Sequence, residues 1–412
     1  MRRWAYLLLL VATAWPALAA KPMTVEQLEQ VLAKLSGKPD TKVAQELADV
    51  EMTQRVSSAR LARWEKEFPG TRTHEVLMKL ADTSAFLKAP MSDVVPDPAP
   101  DAETQQRMLW LAVEYVRTTI TQLPDFYATR ETKHYESAPE QQPESGVGHD
   151  LGLVVNGIRA LEGTGGAKSL PDAGTYSATA TYRDGREVSD ADAAKSKKEN
   201  QPAIGLTTTG EFGPILGVVM GDAAQSDTTW LRWEQGDSEP VGVFRYSVPE
   251  DQSHYAIWMP AGAKMAELHP AYHGEIAIDP ETGAILRVSV VAEMPPPHEE
   301  MQAAIMVEYA PVEIGDRSYI CPVRGVALSK VPVASAATAP QGTGEAMQTQ
   351  LNDVAFTNYR LFRSEAHIVE GGTAAGETTA PGANSAPAPP AATPSAEAPA
   401  APNAAPRTDR GR

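Results

Sequence analysis

The spacing of apolar residues changes once along the chain, from a helical period to a strand period. Between Thr24 and Leu123 the apolar positions recur every three or four residues, as in amphipathic helices. Thr24 and Gln27 form a capping-box pattern ahead of the first of these segments. We therefore predict a helical region of short helices over residues 20–90, a Pro-rich linker over 91–100, and a longer helix over 101–123.

Polar residues that precede the later apolar runs are the expected helix caps. Asp40 stands before a run that extends to Val50, so we expect it to cap the second helix. Ser57 or Ser58 is placed to cap the third helix, and the fourth is expected to start near Thr73. Short helices joined by short links are typical of a small helical bundle.

From about residue 124 to 370 the apolar residues alternate with polar ones, which is the period of a half-buried strand. The clearest case is a pair of alternating runs on either side of the turn Asp279–Gly283. Pro280 at the second turn position and Gly283 at the end predict a tight hairpin with Gly283 at positive φ. Asp184 followed by Gly185 is a second hairpin pattern.

These patterns together predict an α+β fold. An N-terminal helical bundle would be followed by a curved antiparallel β-sheet, arranged as a meander over residues 124–370 and with one face in water. The apolar segment from Glu211 to Val219 interrupts the strand period and is expected to form a short helix packed on the sheet.

Both ends of the chain have compositions that differ from the middle. Arg2 and Arg3 precede an apolar run of about a dozen residues, and Ala17-Leu18-Ala19 matches a small-x-small cleavage pattern, so we expect residues 1–19 to be a signal peptide. The protein would then be periplasmic or secreted, with no stable membrane span after cleavage. Residues 371–412 are rich in Ala and Pro and are expected to form a disordered tail.

Charge and cysteine content narrow the function classes. The formal net charge of −17 disfavours nucleic acid and anionic lipid surfaces as partners. Cys321 is the single cysteine, so no intramolecular disulfide can form. It lies in an apolar strand pattern, which favours a buried side chain over a nucleophile.

One histidine grouping is a candidate metal site. His269 and His273 are four residues apart, with Glu275 close by, and this spacing would place both histidines on one face of a helix. Pro270 and Gly274 favour instead a loop that leads into a strand, where the same residues would be ordinary polar side chains. The glycine-rich segment at 163–169 lacks the glycine that a phosphate loop needs before its lysine, and no cofactor is predicted.

Two tryptophans are candidate ligand-binding residues. Trp230 and Trp233 flank Arg232 in a predicted strand. Three residues apart, they should lie on opposite faces, one in the core and one free to stack on a ligand.

Several short segments resemble a family of exported bacterial proteins that carries no assigned activity. The resemblance spans roughly residues 41–368, and its marks are Leu123-Pro124-Asp125-Phe126, Gly210-Glu211-Phe212-Gly213, Tyr272-His273-Gly274-Glu275, Ile278-Asp279, Thr282-Gly283, Pro322-Val323-Arg324 and Phe356-Thr357-Asn358-Tyr359. A helix wrapped by a curved antiparallel sheet is also similar to the periplasmic lipoprotein-carrier and sigma-factor-regulator (LolA-like) fold. That likeness of architecture implies apolar-ligand binding by analogy.

The sequence favours a non-catalytic envelope protein over an enzyme. Its curved sheet would bind an apolar ligand, such as an acyl chain or lipoprotein, or a partner protein of the envelope. One alternative is a periplasmic hydrolase with a site around His269, His273 and Glu275. Another is a structural envelope protein that makes its contacts through the helical bundle.

Overall fold

A computed structural model shows an α+β protein and confirms the predicted class. It describes residues 21–118, 122–139, 170–188, 211–236, 239–261, 264–296, 298–333 and 346–362. All of these belong to one compact unit. The predicted signal peptide, the tail and the segment at 163–169 lie outside the described residues. Over the described part of the chain, no helix is both long and apolar enough to cross a membrane.

The described helices lie where the helical period places them. Thr24 and Gln27 form the predicted capping box, and each helix buries the apolar face that the spacing indicates. The helices are α1 (Val25–Leu35), α2 (Asp40–Leu47), α3 (Ser58–Glu67), α4 (Thr71–Thr83), α5 (Ala102–Thr118) and α6 (Pro214–Ala223). Helices α1 to α4 share one apolar core. Strand β1 (Lys21–Met23), which precedes α1, pairs in parallel with β2 (Val50–Met52), which follows α2.

Asp40 caps a different helix from the one predicted. Its carboxylate accepts hydrogen bonds from the backbone amides of Thr73 at 2.9 Å and Arg72 at 3.1 Å, which are in the first turn of α4. Gly70, the residue before α4, has no side chain to do this, and a Cβ there would overlap the Asp40 carboxylate. Hydrogen bonds from Thr73 lower the pKa of Asp40. Val50 belongs to β2 rather than to the second helix.

The main sheet is antiparallel throughout and has eleven strands among the described residues. Its order is β3-β7-β8-β11-β12-β13-β14-β15-β4-β5-β6. Strands β9 and β10 form a separate hairpin. In chain order the strands are β3 (Val94–Val95), β4 (Phe126–Glu136), β5 (Asp172–Arg183), β6 (Arg186–Val188), β7 (Asp227–Gln235), β8 (Pro240–Val248), β9 (Ile257–Ala261), β10 (Lys264–Leu268), β11 (Ala271–Ile278), β12 (Ile285–Glu293), β13 (Gln302–Ile314), β14 (Arg317–Pro332) and β15 (Met347–Leu361).

The predicted hairpin at Asp279–Gly283 joins β11 to β12. The amide of Asp279 donates to the carbonyl of Ala284 at 2.9 Å, and Gly283 has a φ of +75°. The turn also packs against helix α5, because a Cβ on Gly283 would lie 2.5 Å from the carbonyl oxygen of Leu111. Asp184 and Gly185 form the second predicted turn, both at positive φ, between β5 and β6.

The two faces of the sheet have different coverings. One, the apolar face, packs against α5 and α6 and includes Phe244, Tyr272, Ile276, Val288 and Val290. The other, the charged face, carries Glu234, Glu275, Arg287, Glu308, Arg324 and Asp353. The prediction that this second face lies in water is wrong at the centre of the sheet. There α3, α4 and residues 84–88 cover it.

Candidate ligand-binding site

The site is built where the helical region meets the charged face, a contact that we call the junction. Three side chains of the helical region reach charged partners on the sheet: Arg55 pairs with Glu234, the Ser58 hydroxyl donates to Glu308, and Asp82 pairs with Arg324. Beside these pairs, Ala85 and Phe86 pack on an apolar cluster that includes Met306, Val326 and Leu351. The junction therefore has a charged part and an apolar part.

Glu234 is held by three guanidinium groups. Arg287 donates to both of its carboxylate oxygens, at 2.9 and 3.2 Å, Arg232 donates at 2.7 Å, and Arg55 completes the set. Burial alone would raise the pKa of Glu234, but Arg287 and Arg55 outweigh it and hold that pKa well below its usual range. A buried carboxylate with this many donors stays ionised and fixes the positions of its partners.

Arg324 is the centre of a second buried group. It pairs with Asp82 of α4, with Glu308 at 3.4 Å and with Asp353 at 3.8 Å. Burial, with a further contribution from Asp82, raises the pKa of Asp353 to about 8. Burial also raises the pKa of Asp82. The raised pKa favours the protonated form of Asp353, which reduces the repulsion between carboxylates that share one arginine.

A cleft of about 310 Å³ opens beside these ion pairs. The start of α3 forms one wall with Ser57, Ser58 and Ala59, and part of the lining is Glu234, Arg287 and Glu308. The remaining lining is mostly apolar and comes from the sheet, including Val241, Ala277, Leu286, Ile320 and Val323. Apolar walls with a few fixed polar groups are typical of small-molecule sites, which start at about 300 Å³.

The charges in this lining are already balanced against one another. Glu308 accepts a hydrogen bond from Ser58 at the first turn of α3, where a negative charge also interacts favourably with the helix dipole. Burial alone would raise the pKa of Glu308, but Arg324 and Ser58 lower it. The lining thus offers fixed dipoles rather than free charge.

The rim of the cleft is acidic. Glu239 and Asp279 line its edge and also line an adjoining cleft of about 200 Å³, whose other residues include Asp97, Glu281 and Trp233. Carboxylates around an opening repel anionic solutes and favour neutral or cationic ones. The overall charge of −17 acts in the same direction.

The structure brings together two of the three candidate metal residues. His273 and Glu275 lie two residues apart on β11 and line one small cavity, whereas His269 is half-exposed and lies 3.7 Å from Glu267. His273 contacts Glu293 at 3.0 Å, and Glu275 accepts hydrogen bonds from Arg232 at 2.8 and 3.2 Å. Within the described ranges, no three His, Cys, Asp or Glu side chains are grouped so that they could hold a metal ion.

Trp230 and Trp233 lie on the same face, so the expectation of opposite faces is wrong. A register shift between Trp230 and Arg232 inserts an extra residue into β7, and the two indole rings meet edge to face at 4.8 Å. Both pack against the apolar core. Trp233 also lines the smaller acidic cleft, and its indole nitrogen donates to the carbonyl of Pro98 at 3.0 Å.

Cys321 is fully buried, as its strand pattern predicts, and burial raises the pKa of its thiol to about 12. Arg55, Asp82, Glu234 and Glu308 were not singled out from the sequence, and Arg324 was named there only as part of a family mark. Arg55 lies in the link between β2 and α3, and the other four are charged residues at polar positions of a strand or helix. A solvent-exposed face shows the same pattern. Comparison of the chain with protein-family models, with curated proteins and with solved structures gave no match.

Proposed function

We propose that this chain is an exported, non-catalytic binding protein that holds a small apolar ligand, such as an acyl chain, in the junction cleft. The observation that carries this proposal is the cleft itself, an opening of about 310 Å³ with apolar walls next to a set of paired charges. The resemblance to lipoprotein carriers that the sequence suggests implies an apolar ligand by analogy.

The charges of the site define the head group of the ligand. Glu234, Arg287 and Glu308 are paired with protein groups, so they need no counter-charge from a ligand. The acidic rim at Glu239 and Asp279 makes a ligand carboxylate unfavourable. We therefore expect a neutral or cationic head group, and a fatty alcohol should bind more tightly than the fatty acid of the same length.

Two alanines on α3 offer a matched pair of variants. Both Ala59 and Ala62 are solvent-exposed, but only Ala59 lines the cleft. Ala59→Trp would place an indole in the opening, and Ala62→Trp adds the same side chain elsewhere on the helix. The assay is a fluorescence titration of full-length protein with diphenylhexatriene, a neutral apolar probe, followed by displacement with dodecanol or dodecanoate.

Wild type and Ala62→Trp should bind the probe with equal affinity. Ala59→Trp should bind it about tenfold more weakly or worse, which corresponds to a loss of at least about 1.4 kcal/mol in binding free energy. Dodecanol should displace the probe more effectively than dodecanoate. Equal binding by all three proteins would place the probe elsewhere and contradict the proposal for this cleft.

A further inference from the structure

A second, smaller cavity of about 60 Å³ lies on the charged face, where residues 85–88 cover β8, β11, β12 and β13. Four cationic side chains line it, together with a single carboxylate, that of Glu275. The cations are Arg55, Lys88, Arg245 and Arg287. In a protein of net charge −17 such a local excess of positive charge is unusual and calls for a counter-ion.

The nearby carboxylates do not supply enough negative charge. Glu234 and Glu275 are shared among Arg55, Arg232 and Arg287, so two anions already serve three cations. Lys88 and Arg245 add two more positive charges, and neither forms an ion pair with another described residue. Among the side chains that line the cavity, four positive charges therefore face the single carboxylate of Glu275.

Arg55 gives independent evidence of a missing partner. Its residue is 4 % exposed, and its Nη1 has no hydrogen-bond acceptor within the described residues. Burial, with repulsion from Arg287, lowers the pKa of Arg55. A buried guanidinium N–H without an acceptor is costly, and a group that accepts from it inside the cavity would remove that cost.

We propose that this cavity binds a small oxyanion, a phosphate or sulfate group. Guanidinium groups donate pairs of parallel hydrogen bonds to such groups, and Lys88 adds a point charge at the edge. A single water molecule needs about 10–15 Å³ of this kind of space, so the cavity has room for a group of several heavy atoms. His273 and Glu275 line the same cavity, and the surrounding cations make it a poor site for a metal ion.

The test uses two exposed members of the site. Lys88→Gln with Arg245→Gln removes two positive charges without touching the buried ion pairs, because both residues are solvent-exposed. Lys66→Gln with Arg107→Gln is the matched control, since these exposed residues on α3 and α5 lie outside the cavity. Isothermal titration of the full-length protein with inorganic phosphate, and separately with sulfate, is carried out at constant ionic strength set by chloride.

Wild type and the control pair should bind phosphate or sulfate saturably with the same affinity. The Lys88/Arg245 pair should bind about tenfold more weakly or worse, the loss expected for one charge-assisted hydrogen bond or more. A parallel titration with glycerol phosphate distinguishes two sources of the anion. If glycerol phosphate binds more weakly than inorganic phosphate, the ligand is a free ion; if it binds more tightly, the ligand is the phosphate group of a larger molecule. No saturable binding by wild type, or equal weakening in the control pair, would overturn the proposal.

Discussion

The two faces of the central sheet are covered by helices in physically different ways. On the apolar face, α5 and α6 bury aromatic and β-branched side chains such as Tyr272 and Val290, and the contact depends on shape. On the charged face, the helical region meets the sheet through buried ion pairs such as Arg55 with Glu234 and Asp82 with Arg324. Both cavities that we propose as ligand sites lie on the charged face.

The difference shows what each kind of contact allows. Close-packed apolar surfaces leave few voids, because any gap loses contacts on all sides. An ion pair is favourable only when its two groups keep a fixed separation and orientation. Charged side chains therefore cannot move to fill every gap beside them, and openings remain at the edges of the contact. The charged contact therefore contributes less to stability than its number of ion pairs suggests, but it leaves cavities with polar linings where ligands can bind.

The largest expected effect comes from breaking the charge balance at Glu234. Glu234→Gln would remove the carboxylate that three guanidinium groups share, at a residue that is 2 % exposed. Arg55 would lose its ion pair, and Arg232 and Arg287 would keep only Glu275 of the two carboxylates that they share with it. We expect the free energy of unfolding to fall by about 3–5 kcal/mol, as is usual when one partner of a buried pair is removed. Denaturant unfolding measures this, with Glu239→Gln as the control at an exposed carboxylate.

The control variant should stay within about 0.5 kcal/mol of wild type. If Glu234→Gln costs no more than that, the charged face does not depend on this carboxylate, and the contrast between the two faces is lost.

Gly283→Ala is the corresponding test of the contact between the hairpin turn and α5, the helix that covers the apolar face. Gly283 has a φ of +75°, and a methyl group there would meet the Leu111 carbonyl at 2.5 Å, so both backbone strain and overlap oppose it. We expect a loss of about 3 kcal/mol in unfolding free energy. Gly185→Ala is the matched control, because its φ is +76° and its Cβ would enter open space.

Strain alone should cost Gly185→Ala about 1 kcal/mol. Equal losses for the two variants, measured by denaturant unfolding, would mean that the turn is not packed against α5.

The last predicted effect, small over any one pH unit, is a pH dependence that only the charged face should show. The pKa of Asp353 is about 8 in the folded protein, well above the ordinary 3.8 expected when unfolded. The folded state thus binds this proton more tightly, and the stabilisation is complete below pH 4 and lost as the pH rises towards 8. Asp353→Asn should therefore gain stability relative to wild type as the pH rises, by at most about 1.4 kcal/mol per pH unit.

Thermal unfolding of both proteins between pH 5 and pH 9 measures this difference. Val290→Ala, on the apolar face, should show a constant difference from wild type over the same range. A constant difference for Asp353→Asn as well would show that Asp353 is ionised throughout.

Local patterns predict the elements of this fold but not the coverage of its faces. The capping box at Thr24 and the turn ending at Gly283 depend on neighbouring residues, so the sequence contains the information that they need. Arg287 alternates with apolar neighbours in β12, and that pattern is the same whether water or Glu234 is the partner. The register shift after Trp230 is likewise set by packing between strands, which sequence spacing does not record.

Native mass spectrometry of the full-length protein can show whether an apolar ligand occupies the junction cleft. Wild type, Ala59→Trp and Ala62→Trp would be purified in the same way and measured after incubation with dodecanol. We expect a one-to-one adduct on wild type and on Ala62→Trp, and a bare mass for Ala59→Trp, whose indole would fill the opening. A bare mass for wild type, or an adduct of equal abundance on Ala59→Trp, would contradict the proposal for this cleft.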